Sequence, residues 1–112
     1  SLFIDPDVDQ VLAARDAGAG VIELHTGCYA QCHGNEADRE LERLRSAVAC
    51  DLDAGLAVNA GHGLHVDNVG PVAAVAGIRE LNIGHALIAR AIFIGLDAAV
   101  REMKQAMQAA RA

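Results

Sequence analysis

The chain has 112 residues, 53% of them hydrophobic, which is room for one domain with a core of some size. Nine basic against fifteen acidic residues give a net charge of −6 with no Lys/Arg stripe, so no nucleic-acid partner is expected. The apolar residues are mostly Ala, Val, Leu and Ile, with two Phe, one Tyr and no Trp; this suits parallel strands covered by helices on both faces rather than aromatic stacking on bases.

Leu2–Ile4 reads as a short strand, and Asp5-Pro6 behind it as an N-cap followed by proline at the first helical position. The helix this opens runs to about Ala17 with Val8, Val11, Leu12 and Arg15 at its spacing, and Gly18-Ala-Gly20 stops it. Because Leu2 has no turn or initiating Met before it, the chain is expected to be cut from something longer. Val21–His25 is the second strand, and Thr26–Gly34 reads as a loop whose length suggests a function.

Glu36–Ala54 is a long amphipathic helix, with Leu41, Leu44, Val48 and Leu52 facing inward and the charged run Glu36–Arg45 forming a solvated face. Leu56–Asn59 is the third strand and Ala60–His65 its loop. A short helix covers about Val66–Val75, and Glu80–Ile83 is the fourth strand. Two helical stretches follow, about Ala86–Ile94 and Asp97–Ala110, with Gly95 between them.

Three cysteines, Cys28, Cys32 and Cys50, form no even framework, and neither a signal peptide nor a span of about twenty apolar residues is visible. No membrane association and a reducing, cytoplasmic setting are the corresponding expectations. Cys28, Cys32 and His33 have a poor spacing for zinc and lack an evident fourth ligand, so no metal is expected; Cys28 and Cys50 read as packed small residues.

Four strands each followed by a helix, joined by right-handed crossovers, give a parallel α/β sheet. They make the (β/α)4 half of a (β/α)8 TIM barrel if they are strands five to eight, with an extra short helix opening behind the fourth. A small doubly wound sheet is the competing architecture.

Two strand ends carry Gly beside His, at Gly61-His62-Gly63 and Gly84-His85. Small residues let the main chain approach a ligand, and an imidazole can give and take a proton near neutral pH. Glu23 alternates with Ile22 and Leu24 and so points away from the helices, where a carboxylate could offset positive charge developing on an imine nitrogen. The plainer readings are a tight turn with a satisfied imidazole at each Gly-His, and a Glu23 held by structural hydrogen bonds.

SLFID at Ser1–Asp5, IELHTGCYA at Ile22–Ala30, VNAGHGL at Val58–Leu64 and ELNIGHA at Glu80–Ala86 resemble, in order and spacing, the C-terminal half of the pyridoxine 5′-phosphate synthase family. The resemblance covers essentially the whole chain, residues 1–112 as one half-barrel. It implies a TIM-barrel transferase of vitamin B6 biosynthesis that condenses 1-deoxy-D-xylulose 5-phosphate with 3-amino-2-oxopropyl phosphate and releases phosphate and water. It further implies no cofactor, and a homo-oligomer, typically an octamer. Motif by motif, the proton donor falls on His62, substrate contacts on Gly63, Gly84 and His85, and the transition-state-stabilising glutamate on Glu23.

The family's other acids, bases and phosphate-binding arginines have no counterpart here. A ring closure with several dehydrations needs groups on both sides of the substrate, so the isolated chain is expected to be inactive. The alternatives are another phosphate-binding α/β enzyme that uses His62, and a non-catalytic half-barrel unit whose open strand edges pair with a second chain.

Overall fold

A computed structural model describes residues 1–111. The strands β1 (Leu2–Ile4), β2 (Val21–His25), β3 (Ala57–Gly61) and β4 (Ile78–Asn82) form one parallel sheet in the order β1-β2-β3-β4. The helices are α1 (Val8–Asp16), α2 (Gly27–Gln31), α3 (Asn35–Asp53), α4 (Val69–Ala73), α5 (His85–Ile94) and α6 (Leu96–Arg111). The strand order follows the chain without a reversal, so the switch point that defines a doubly wound sheet is absent among the described residues.

The core occupies one face of the sheet. Ile22, Leu24, Val58, Ala60 and Ile78 are buried there against Val11, Leu41, Leu44, Ala47, Val48, Val69 and Val72 of the helices. The opposite face bears Phe3, Glu23, Asn59 and Glu80 in register across the four strands, and Phe3 and Glu80 are exposed. The composition suggests two covered faces, but alternation within each strand places polar side chains on the second, which the helices leave open.

Between Val58 and Asn59 the pairing with β4 slips: Val58 pairs with Ile78 but Asn59 with Glu80, leaving Arg79 as an inserted residue. Beyond that bulge, Asn82 is in register with Gly61 and faces the same side as Glu23.

Several local expectations are corrected. The α1 cap is Asp7, whose carboxylate accepts the Asp9 amide at 3.0 Å, while Asp5 accepts the Asp7 amide in the preceding turn. Val11 and Ala14 are the buried residues of that helix, and Val8 is exposed. The Thr26–Gly34 loop contains α2, and Cys28 on it is exposed rather than packed; Cys50 is partly buried against the core.

On α3 the buried stripe runs through Leu41, Leu44, Ala47, Val48 and Asp51. Leu52 lies at the edge of that arc, half exposed, where it covers Gly77. β3 runs from Ala57 to Gly61, carried by pairing past Ala60 and Gly61, residues of low strand propensity, and β4 runs from Ile78 to Asn82, begun earlier than Glu80 by the pairing of Ile78 with Val58 and ended before Ile83. α4 starts at Val69 rather than Val66, with Pro71 in its first turn, where the missing N–H has no helical partner to lose.

The last helix is tied back by Arg111, whose guanidinium donates to the carbonyls of Ala73 at 2.6 Å and Ile78 at 2.7 Å. Among the described residues no helix is long and apolar enough to cross a membrane.

Candidate active site

In a parallel sheet every strand delivers its carboxyl end to the same edge, which is where α/β proteins build their sites. Here that edge opens into a cavity of about 520 Å³ lined by Phe3, Glu23, His62, Gly63, Asn82, Ile83, Gly84 and His85. All five residues expected from the sequence therefore meet in one place. They come from β2, from the turn after β3, and from the junction of β4 with α5.

His62 is the one non-glycine residue with positive φ among those described, at 97°. Such a conformation is sparsely populated for an L side chain, costs about 1–3 kcal/mol and persists only where its surroundings hold it. Here they do: the Thr26 hydroxyl donates to the His62 carbonyl at 2.6 Å, and the Thr26 amide donates to the Gly61 carbonyl at 2.9 Å. The side chain is exposed toward the cavity, so its ring can meet a ligand while its backbone is clamped from behind.

Gly63 follows with φ 75°, and a Cβ there would stand 2.7 Å from the Cβ of Ala30. Both the dihedral and the close approach require glycine. Asn68 closes the turn: its side-chain oxygen accepts the His65 amide at 2.7 Å, and its side-chain nitrogen donates to the Gly63 carbonyl at 3.2 Å. Tyr29 braces it from α2, donating its hydroxyl to the Asn68 carbonyl at 2.7 Å. Burial, then Asp38, pushes the Tyr29 phenol up, which keeps that donor protonated.

Glu23 projects from the open face of the sheet and accepts a short hydrogen bond from the Asn82 side-chain amide. Gly61 lies between β2 and β4, where a Cβ would stand 2.7 Å from the Asn82 carbonyl and 3.0 Å from a Glu23 carboxylate oxygen. Gly61→Ala is thus expected to destabilise the chain by about 1–3 kcal/mol. Urea denaturation would check this; an unchanged midpoint would contradict the tight packing.

Gly84 is the N-cap residue of α5 and His85 its first residue, so the free amides of the helix start open on the cavity. This is the extra helix expected behind the fourth strand. Cys32 and His33 lie apart from the site. Partial burial, then Glu36, Glu40 and Cys28, raises the Cys32 thiol, which opposes the thiolate a metal would need. Among the described residues no group of three His, Cys, Asp or Glu side chains converges as a metal site.

Sequence reasoning missed Phe3, Thr26, Asn68, Asn82 and the ring of His25 as parts of this assembly. Asn82 was open to discovery, since it stands two residues before Gly84; Thr26 and Asn68 act through contacts distant in sequence.

A family model described as pyridoxal phosphate biosynthesis protein PdxJ matches residues 1–109. Three curated proteins named pyridoxine 5′-phosphate synthase, from the Corby, Lens and Paris strains of Legionella pneumophila, are each 58% identical to the chain over 112 residues. Those alignments cover 99% of this chain and 45% of each relative, so the chain spans a little under half of their length.

Proposed function

We propose a function from one premise: the chain belongs to the PdxJ family of pyridoxal phosphate biosynthesis proteins. On that footing it is the C-terminal half, strands five to eight, of a (β/α)8 barrel, and contributes one side of a pyridoxine 5′-phosphate synthase site in vitamin B6 biosynthesis. The whole enzyme would join 1-deoxy-D-xylulose 5-phosphate to 3-amino-2-oxopropyl phosphate, close the pyridine ring and release inorganic phosphate and water. A cytoplasmic homo-oligomer is part of the same reading.

The observation that supports it best is the shared cavity of Glu23, His62, Gly63, Gly84 and His85 at the carboxyl edge of the sheet. In this reading His62 donates a proton to a departing oxygen, because its ring stands in the cavity while its backbone is fixed. Glu23, steadied by Asn82, offsets the charge of a cationic imine. The Gly63 main chain, the α5 amides behind Gly84, and His85 hold a phosphorylated amino-ketone. The open face of the sheet and the unpaired outer edges of β1 and β4 suit closure by a further four strands.

The test is to assay purified chain with both phosphorylated substrates, alone and with the other half of a relative supplied separately. No turnover alone and recovery on mixing are expected; turnover by the chain alone would overturn the half-site reading.

A further inference from the structure

The imidazole of His25 has no role in the chemistry assigned above, yet it is packed against two other rings and hydrogen-bonded at one nitrogen. Its centroid lies 4.5 Å from that of His62, tilted by 32°, and 4.9 Å from that of Phe3, stacked at 29°. The three rings form a short ladder from β1 through the end of β2 to the turn after β3. Phe3 and His62 line the cavity, and His25 packs between them.

A hydrogen bond fixes the middle rung. The Gly27 amide donates to His25 Nδ1 at 3.0 Å. Gly27 opens α2, and the first amides of a helix have no helical acceptor. The imidazole supplies one, which places the His25 ring proton on Nε2 and forbids free rotation. Gly27 also makes the space: a Cβ there would stand 2.2 Å from His25 Cε1 and 3.0 Å from His62 Cδ2. The two rings and the bare α-carbon of Gly27 thus fill one small volume.

His62 is held differently. Its hydrogen bond to Thr26 is made at the carbonyl, which fixes the backbone but leaves the side-chain torsions to be set by packing. The ring it packs on is His25. We propose that His25 is a positioning residue, whose ring, anchored by the Gly27 amide and backed by Phe3, sets the orientation of the His62 imidazole toward the cavity. It acts through His62 and not on the substrate. The inference rests on the reading of His62 as the proton donor.

Two kinds of measurement test it. Kinetics are read on a full-length enzyme whose C-terminal half is this chain. His25→Ala is expected to lower kcat by about 10- to 100-fold, the cost of a catalytic group displaced by about 1 Å, with KM for both phosphorylated substrates changed less than about threefold. His25→Phe keeps a flat ring against His62 and should recover most of the loss. Gly27→Ala leaves both histidines in place but pushes the rings apart, and should reproduce the His25→Ala defect.

The second measurement is long-range proton–nitrogen NMR of the histidine rings, read without any activity. An unprotonated His25 Nδ1, and His62 ring signals that move in His25→Ala while those of His33 do not, are expected. An unchanged kcat in His25→Ala, equal loss in His25→Phe, or a protonated Nδ1 would each overturn the proposal. His62→Ala is the control for the underlying reading: if it retains full turnover, the donor assignment fails, whereas its inactivity beside a fully active His25→Ala sinks the positioning role alone.

Discussion

Replacing His62 by alanine in a full-length enzyme that contains this chain is expected to lower kcat by about 10²- to 10⁴-fold, with KM changing far less. A general acid acts where a leaving oxygen gains charge, so its loss is felt in the transition state and little in ground-state binding. The local backbone allows a sharper form of the experiment. His62 holds φ at 97°, a conformation that glycine adopts without strain and alanine does not. His62→Gly should therefore match His62→Ala in lost turnover while raising the denaturation midpoint, since relief of the dihedral is worth about 1–3 kcal/mol. Loss of activity and gain of stability in one variant would mark His62 as a residue kept for chemistry. Undiminished kcat with both substrates saturating would remove it from the mechanism.

The second large effect concerns Asp51, which lies on the buried stripe of α3 with no exposed surface. Neither carboxylate oxygen has a hydrogen-bond partner among the described residues, and burial raises its pKa from 3.8 to about 7. Between those two values the folded chain binds a proton that the unfolded chain has released. Stability therefore falls as pH rises from about 4, and the penalty is complete above about 7. Its size is on the order of 2–4 kcal/mol. Asp51→Asn stays neutral throughout and is expected to flatten that decline, so that the variant gains on the parent between pH 5 and pH 8. Urea midpoints across that range decide it; parallel curves for the two proteins would mean that Asp51 does not govern the pH dependence.

Asp51 also shows where reading the sequence stops. Helical spacing identifies the inward stripe of α3 through Leu41, Leu44 and Val48, but hydrophobicity selects Leu52 as its next member. The buried arc passes through Asp51 instead, and a carboxylate on that arc has no apolar signature to betray it. Strands β2, β3 and β4 were legible because glycines follow them closely, His62, Gly63, Gly84 and His85 because they sit at those ends, and Glu23 because it alternates with Ile22 and Leu24. What could not be read is which distant groups hold them: Thr26 beneath the His62 carbonyl, Asn82 against Glu23, Tyr29 under Asn68. Each is a polar contact across 36, 59 or 39 residues of chain, and pairings of that kind are set by tertiary register rather than by local pattern.

The slip in β4 gives that register a parity. Side chains alternate along a strand, so one extra residue would exchange everything beyond it between the two faces of the sheet unless a bulge absorbs it. Arg79 is the residue absorbed, and the effect is arithmetic: with the bulge, Asn82 is opposite Gly61 and meets Glu23; were Arg79 paired with Asn59 in a regular ladder, Leu81 would stand there and Asn82 would be turned into the apolar layer. The identity of Arg79 is accordingly open to change, and even its loss would leave Asn82 opposite Gly61 in a regular ladder. Substitutions can drift through this segment, whereas straightening the bulge with Arg79 kept in the ladder would turn the site inside out.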